Sequence, residues 1–421
     1  MRYASDTTRA RRPVRVRDDA RQNTIRKHRP DYMLVVYSAL LLGIGAVTVY
    51  AISPGITLDR GLSENFFSTR QLVAIVLGAI SFLIASQIRL KTWKTFELPL
   101  VVFALIVSIA VRLFGEPING AYRWLDIGGI SFQAAELIKF TLVIWLAGYL
   151  VRMRQEQRIH ETEVLKRIGI AVGLVVFIVA GLQSDLGSAV VMMAIIGFMA
   201  FVAGMPFKKL ILVASVILIL LIGAIVSSDY RRDRVTTFLN PTADCQNEGY
   251  QACQALITIG SGGMFGKGLG RSVQAYGYLP EAANDSIFAI VSEKFGFVGA
   301  SAVIGLFALI FRHMKRIAEA APNDYARLLV SGILAWLSIQ MIINVGAMLG
   351  LLPLKGITLP LVSYGGTSII FVMAAIGIVF HISRYTDLSQ ASAMGRQKYG
   401  NSSRPNSVQR SSSSRRTWNN V

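Results

Sequence analysis

The feature that most constrains this chain is a recurrence of apolar runs about 20 residues long, starting at Tyr32 and continuing almost to the C-terminal tail. A run of that length matches the thickness of a bilayer core. The composition agrees: only 16% of residues are charged and 53% are hydrophobic, against about 25% charged in an ordinary soluble protein. The expected fold class is therefore all-α, a polytopic integral membrane protein. A soluble multidomain enzyme is a poor second. The runs divide into ten expected spans, at residues 31–53, 70–88, 93–114, 134–151, 168–183, 186–204, 208–227, 286–311, 325–350 and 365–383.

An even number of spans puts both termini on one side, and the distribution of positive charge says which. Residues 1–30 hold 10 Lys and Arg, residues 384–421 hold 7, and the four loops on the same side hold 14, so 31 of the 43 basic residues share one face. That face is expected to be cytoplasmic. In a soluble protein the net charge of +19 would suggest nucleic acid. Here it sits in tails and short loops, where it sets orientation and meets anionic headgroups. The expected organisation is a basic disordered tail (1–30), a ten-helix membrane domain (31–385) and a second disordered tail (386–421), since "NSSRPNSVQRSSSSRR" has too little apolar surface to order itself. The first 30 residues lack the apolar core of a cleavable signal peptide.

The longest connection, residues 228–285, lies on the expected outer face. Loops of about this length are usually functional. It holds both cysteines, Cys245 and Cys253. Two are too few for a disulfide framework or a cysteine-rich zinc site, but an oxidising compartment would permit a bridge between them. Its "SGGMFGKGLG" fails as a P-loop, with no GK[ST] ending and no preceding strand. It reads either as a flexible turn between interfacial helices or as a contact for lipid phosphate.

Charges next to or within apolar runs are expensive and need a reason. "YLPEAANDSIFAIVSEKFG" carries Glu281, Asp285, Glu293 and Lys294 where the long loop enters the eighth span. Glu136 and Lys139, three residues apart in the fourth span, share a helix face. They read either as an internal ion pair or as the wall of a polar cavity that binds substrate. Arg123 and Trp124 sit side by side at the membrane surface, either as an interfacial anchor or with the arginine gripping a phosphate through paired hydrogen bonds. Asp185, between two spans, is expected to cap the sixth. "GLLPLKGITLPLVSYGGTSII" is broken by Pro and Gly on the outer face, a pattern tolerated at membrane depth where it lines protein or water. It would offer Lys355 to an anion.

Taken together, "FLNP", "GYQACQALITIGSGGMFGKGLGRSVQ", "YLPEAANDSIFAIVSEKFGFVG", "GLLPLKGITLPLVSYGGTS", "NGAYRWL", "QAAELIK" and "SDLGSA" resemble the motifs of the SEDS family, in order, over residues 31–385. "GLGRSVQAYGYLPEA" is more similar to its division and sporulation branch than to its elongation branch. The resemblance implies a peptidoglycan glycosyltransferase of the bacterial cytoplasmic membrane. Such a protein polymerises lipid II on the outer face beside a class B penicillin-binding protein and other division proteins, at the septum. It also implies that Asp285 is the family's essential acid and that Arg123–Trp124 is its outer-loop pair. The chain departs from the family at Ala283–Asn284, often His-Thr, and at Lys294, often Glu. It departs again at Ala134–Ala135, usually Pro-Ser, and at Ser184, usually Pro.

That reaction needs a base for a sugar hydroxyl and positive charge for a departing pyrophosphate. Asp285 is the candidate base. If residues 281–285 are helical, Glu281 shares its face and raises the pKa of one carboxylate of the pair. Arg123 is the first candidate for the leaving group, with Arg231, Arg232, Arg234 and Lys355 behind it. A divalent cation such as Mg²⁺ or Mn²⁺ would suit carboxylates and pyrophosphate, although no metal-ligand spacing demands one. Two other readings stand beside this one: a lipid II flippase and a non-catalytic scaffold of the division complex. A flippase needs a polar route to both faces, whereas the motifs here cluster on one.

Overall fold

The computed structural model describes residues 25–58, 61–115, 122, 124–127, 130–226, 238, 245–247, 249–272, 274, 276–354 and 356–387. Two compact units are distinguished, residues 27–386 and the two terminal segments together. The first unit holds every helix described below.

The helices are α1 (Tyr32–Leu58), α2 (Phe66–Gln87), the short α3 (Leu90–Thr95), α4 (Glu97–Phe114), α5 (Ala134–Gln155) and α6 (Thr162–Val175). The π-helix Val176–Leu182 continues α6 directly. Then come α7 (Leu186–Val202), α8 (Phe207–Val226), α9 (Tyr250–Ser261), α10 (Ile287–Glu319), α11 (Asp324–Met348) and α12 (Gly366–Ile382). Strands are short: β1 (Ile25–Lys27), the antiparallel hairpin β2 (Trp124–Ile127) with β3 (Ile130–Gln133), and β4 (Tyr385–Asp387). Each of the ten expected spans corresponds to a helix. Among the differences in length and continuity, α10 runs eight residues beyond the expected 311, α1 five beyond 53, and a break at Phe96 separates α3 from α4. Among the described residues, seven helices, counting α6 with its π-helical continuation as one, are long and apolar enough to cross a membrane, and α7 and α12 are shorter apolar helices.

The bundle is layered by burial. Nearly every residue of α5 and most of α11 are buried, so both form its centre. By contrast α2 and α4 turn Leu72, Val76, Leu83, Leu98, Phe103 and Ile106 outward, the side chains a helix presents to lipid tails. In that solvent, helix association rests on close packing rather than on hydrophobic burial. Gly377 of α12 illustrates it, because a Cβ there would lie 2.6 Å from the Phe82 carbonyl of α2. Any larger residue pushes the two helices apart.

Breaks in the helices are where the site is built. Gly296 interrupts α10 with φ 67° and ψ −165°, a backbone region essentially closed to other residues. The turn it makes brings the 262–270 segment against α10, so that a Cβ on Gly266 would sit 2.2 Å from the Lys294 carbonyl. The Pro- and Gly-broken stretch after α11 is non-helical over 351–354 and 356–365 and buried from 357 to 363, as its sequence leads one to expect. Its polar groups are satisfied internally, for example by the Leu359 N–H donating to Ser363 Oγ at 2.7 Å.

Candidate functional site

Asp285 lies in the last turn before α10, is buried, and is held from three directions. From the 351–365 segment, the Tyr364 N–H donates to the Ala283 carbonyl at 2.8 Å and Ser363 Oγ donates to the Asn284 carbonyl at 2.7 Å. From α11, Asn344 Nδ2 donates to the Asp285 carbonyl at 2.7 Å. From α9, Gln251 Nε2 reaches Ser286 Oγ at 3.3 Å. The backbone around this carboxylate is therefore specified by three separate elements, which is how a reactive group is kept in register.

Glu281 is placed differently from the expectation. Residues 278–286 form consecutive turns rather than a helix, and Glu281 takes a left-handed conformation, φ 52°. Its carbonyl accepts from the N–H groups of Asn284 and Ser286, and its exposed carboxylate accepts from Asn284 Nδ2 at 2.5 Å. The shared helix face that would couple it to Asp285 does not form, because the turn spends the same backbone groups. Asn284, a departure from the family pattern, becomes the partner of Glu281.

Glu293 and Lys294 fasten the glycine-rich segment. Both are buried. Glu293 accepts from Ser272 Oγ at 2.5 Å and from the Gln274 N–H at 3.4 Å, with Lys267 Nζ also at 3.4 Å. Lys294 Nζ donates to the Leu269 carbonyl at 3.0 Å. Backbone bonds from Lys267 and Gly268 to the carbonyls of Glu293 and Lys294 complete the strap. "SGGMFGKGLG" is a turn held to α10 by these backbone bonds, with Met264, Phe265 and Leu269 exposed, and neighbouring α9 is tied to the preceding chain by a Cys245–Cys253 disulfide.

Glu136 and Lys139 form the internal ion pair. Lys139 Nζ donates to Glu136 Oε1 at 2.5 Å and to Gln340 Oε1 at 2.8 Å, and lies 5.7 Å from the Trp336 ring centre. Both are at most 2% exposed, so the pair braces α5 against α11. Asp185 caps α7 as expected, accepting from the Ser188 N–H at 3.0 Å and Ser188 Oγ at 2.8 Å. Trp124 is half-buried in the β2–β3 hairpin, opposite Gln133, whose N–H pins this open end to α12 by donating to Thr367 Oγ1 at 3.0 Å. Arg123, Arg231, Arg232, Arg234 and Lys355 lie outside the described residues. Among the described residues there is no group of three or more His, Cys, Asp or Glu that could hold a metal ion.

The sequence reading missed Gln340, Asn344, Thr358 and Ser363. The first two had a visible signal: Trp336, Gln340 and Asn344 fall four apart in an otherwise apolar span, one face of a helix. Thr358 and Ser363 had none, since hydroxyls are common in any loop.

Residues 32–388 match the sequence family of cell cycle proteins FtsW, RodA and SpoVE. The chain is 35% identical over 368 residues to stage V sporulation protein E of Bacillus subtilis (strain 168), covering 86% of this chain and 99% of that one. It is 38% identical over 369 residues to the probable peptidoglycan glycosyltransferase FtsW of Coxiella burnetii, covering 85% and 97%. Among solved structures it is similar to a chain of a peptidoglycan synthase complex described for its coordination of polymerization and crosslinking. The TM-score there is 0.70, with 28% identity, over 84% of this chain and 98% of that one. It is also similar to the rod shape determining protein RodA of Thermus thermophilus, with TM-score 0.60, 28% identity and coverage of 84% and 97%.

Proposed function

Because the chain belongs to the FtsW, RodA and SpoVE family of cell cycle proteins, we propose that it polymerises lipid II into glycan strands with Asp285 as the general base. It is a peptidoglycan glycosyltransferase, a membrane protein of cell-wall synthesis and cell division. The face carrying Asp285 is the outer one, the termini are cytoplasmic, and the site of action is the septum. Its partner is a class B penicillin-binding protein, in keeping with the synthase complex to which the fold is similar.

The observation that carries this reading is the fixing of Asp285 at the seam between the long loop and α10 by α9, α11 and the 351–365 segment together. In the reaction a sugar hydroxyl attacks an anomeric carbon. Its proton passes to the Asp285 carboxylate as the new C–O bond forms, and the bond to the lipid pyrophosphate breaks. A base so placed contributes about 10²–10⁴-fold. Arg123, Arg234 and Lys355 are the candidates for the leaving pyrophosphate, where preorganised positive charge in a dry site is effective. Glu136 and Lys139 brace α5 against α11 through Gln340.

The test is polymerisation of lipid II by the purified protein with its cognate penicillin-binding protein, the transpeptidase of the latter blocked. Asp285→Asn should abolish glycan chains while folding and complex formation persist. Polymer at the wild-type level from that variant would overturn the assignment. A scaffold has no activity to lose, and a flippase would move lipid II without lengthening it.

A further inference from the structure

We propose that Asn344 is a positioning residue for this reaction, holding the Asp285 turn and the 351–365 segment in one register. The inference rests on Asp285 being the base. Asn344 is 2% exposed, on α11, and its single amide nitrogen donates to two main-chain carbonyls, Asp285 and Ile357, each at 2.7 Å. Both neighbours of that nitrogen are acceptors, so the amide has only one workable orientation. Its Oδ1 is buried with no hydrogen-bond partner, so these two bonds alone orient the side chain.

The register continues one helical turn earlier. Gln340 Nε2 donates to the Thr358 carbonyl at 3.0 Å, while its Oε1 accepts from Lys139 Nζ and Trp336 Nε1, each at 2.8 Å. Two amides four residues apart on α11 thus hold two successive residues of the broken segment, Ile357 and Thr358. The same segment grips Ala283 and Asn284 through Tyr364 and Ser363. Asn344 closes that loop of contacts at Asp285 itself. A base displaced by about 1 Å can lose on the order of 10²-fold in rate. Removing this amide leaves two buried carbonyls short of a donor and releases the turn on one side.

The experiment measures lipid II polymerisation by the complex with its penicillin-binding protein, together with lipid II bound per protein molecule. For Asn344→Leu and the similarly shaped Asn344→Asp, kcat should fall about 10- to 100-fold, with KM and bound lipid II within about two-fold of wild type. Asn344→Gln, which keeps the donors, should recover a substantial part of the loss. Wild-type kcat in a folded Asn344→Leu or Asn344→Asp protein would overturn the proposal. So would a raised KM at unchanged kcat, no rescue by Asn344→Gln, or failure of both variants to fold, which would make the role purely structural. Asp285→Asn run in parallel separates the two ideas. If it is inactive while the Asn344 variants are normal, only this inference falls. If it polymerises normally, the base assignment falls first.

Discussion

At the scale of single residues, the charges inside the apolar spans were legible as anomalies, but their partners were not. Glu136 and Lys139 could be paired from their spacing alone, since three residues on a helix put them on one face. What the spacing could not supply was Gln340, 201 positions away in sequence, which takes the second bond of Lys139. That arrangement makes a prediction. Breaking a buried pair leaves an uncompensated charge and costs about 3–5 kcal/mol, whereas replacing both partners removes the penalty. Glu136→Gln or Lys139→Met alone should lower the thermal midpoint of the detergent-solubilised protein sharply, and the double variant should recover much of the loss. Additive single effects would mean the pair is not coupled. Lys294 teaches a similar lesson. Its hydrogen bond goes to the Leu269 carbonyl, 25 positions earlier in sequence, and Glu293 beside it is bound by Ser272.

At the scale of elements, the spans were readable because twenty apolar residues in a row leave a chain few alternatives to a membrane helix. The breaks were harder. The turns at 278–286 and the interruption of α10 at Gly296 are each held by contacts from outside the element. Glu281 is instructive: its shared face with Asp285 was conditional on a helix over 281–285, and the backbone there turns instead, leaving Glu281 exposed and Asp285 buried. Gly296 gives the element-scale prediction. With φ at 67° and a Cβ position 2.4 Å from the Gly266 nitrogen, Gly296→Ala combines backbone strain with a clash against backbone atoms. The expected cost is on the order of 3 kcal/mol or more, seen as loss of monodisperse protein and of polymerisation together. A variant of normal stability would show that the 262–270 segment can move away at little cost.

For the whole molecule, orientation follows from the bias of basic residues and not from any contact. A reporter active only in the cytoplasm should be active when fused at either terminus, and thiol reagents applied from outside should not label cysteines introduced at residues 390–420. Labelling there would reverse the assignment of the outer face and with it the placement of Asp285. Fold class and family were legible in the sequence alone, and the expectation of ten spans and the proposal of Asp285 as the key acid rest on it as well. Each is written in local signals: hydrophobic length, charge bias and contiguous motifs. The tertiary structure decided which of the intramembrane polar groups face one another. It brought α9, α11 and the 351–365 segment around Asp285, turned Glu281 outward and spent Lys139 and Lys294 on internal partners. The physical reason is that a buried polar group in a bilayer must find its partner within the protein. That partner is chosen by packing between helices far apart in sequence.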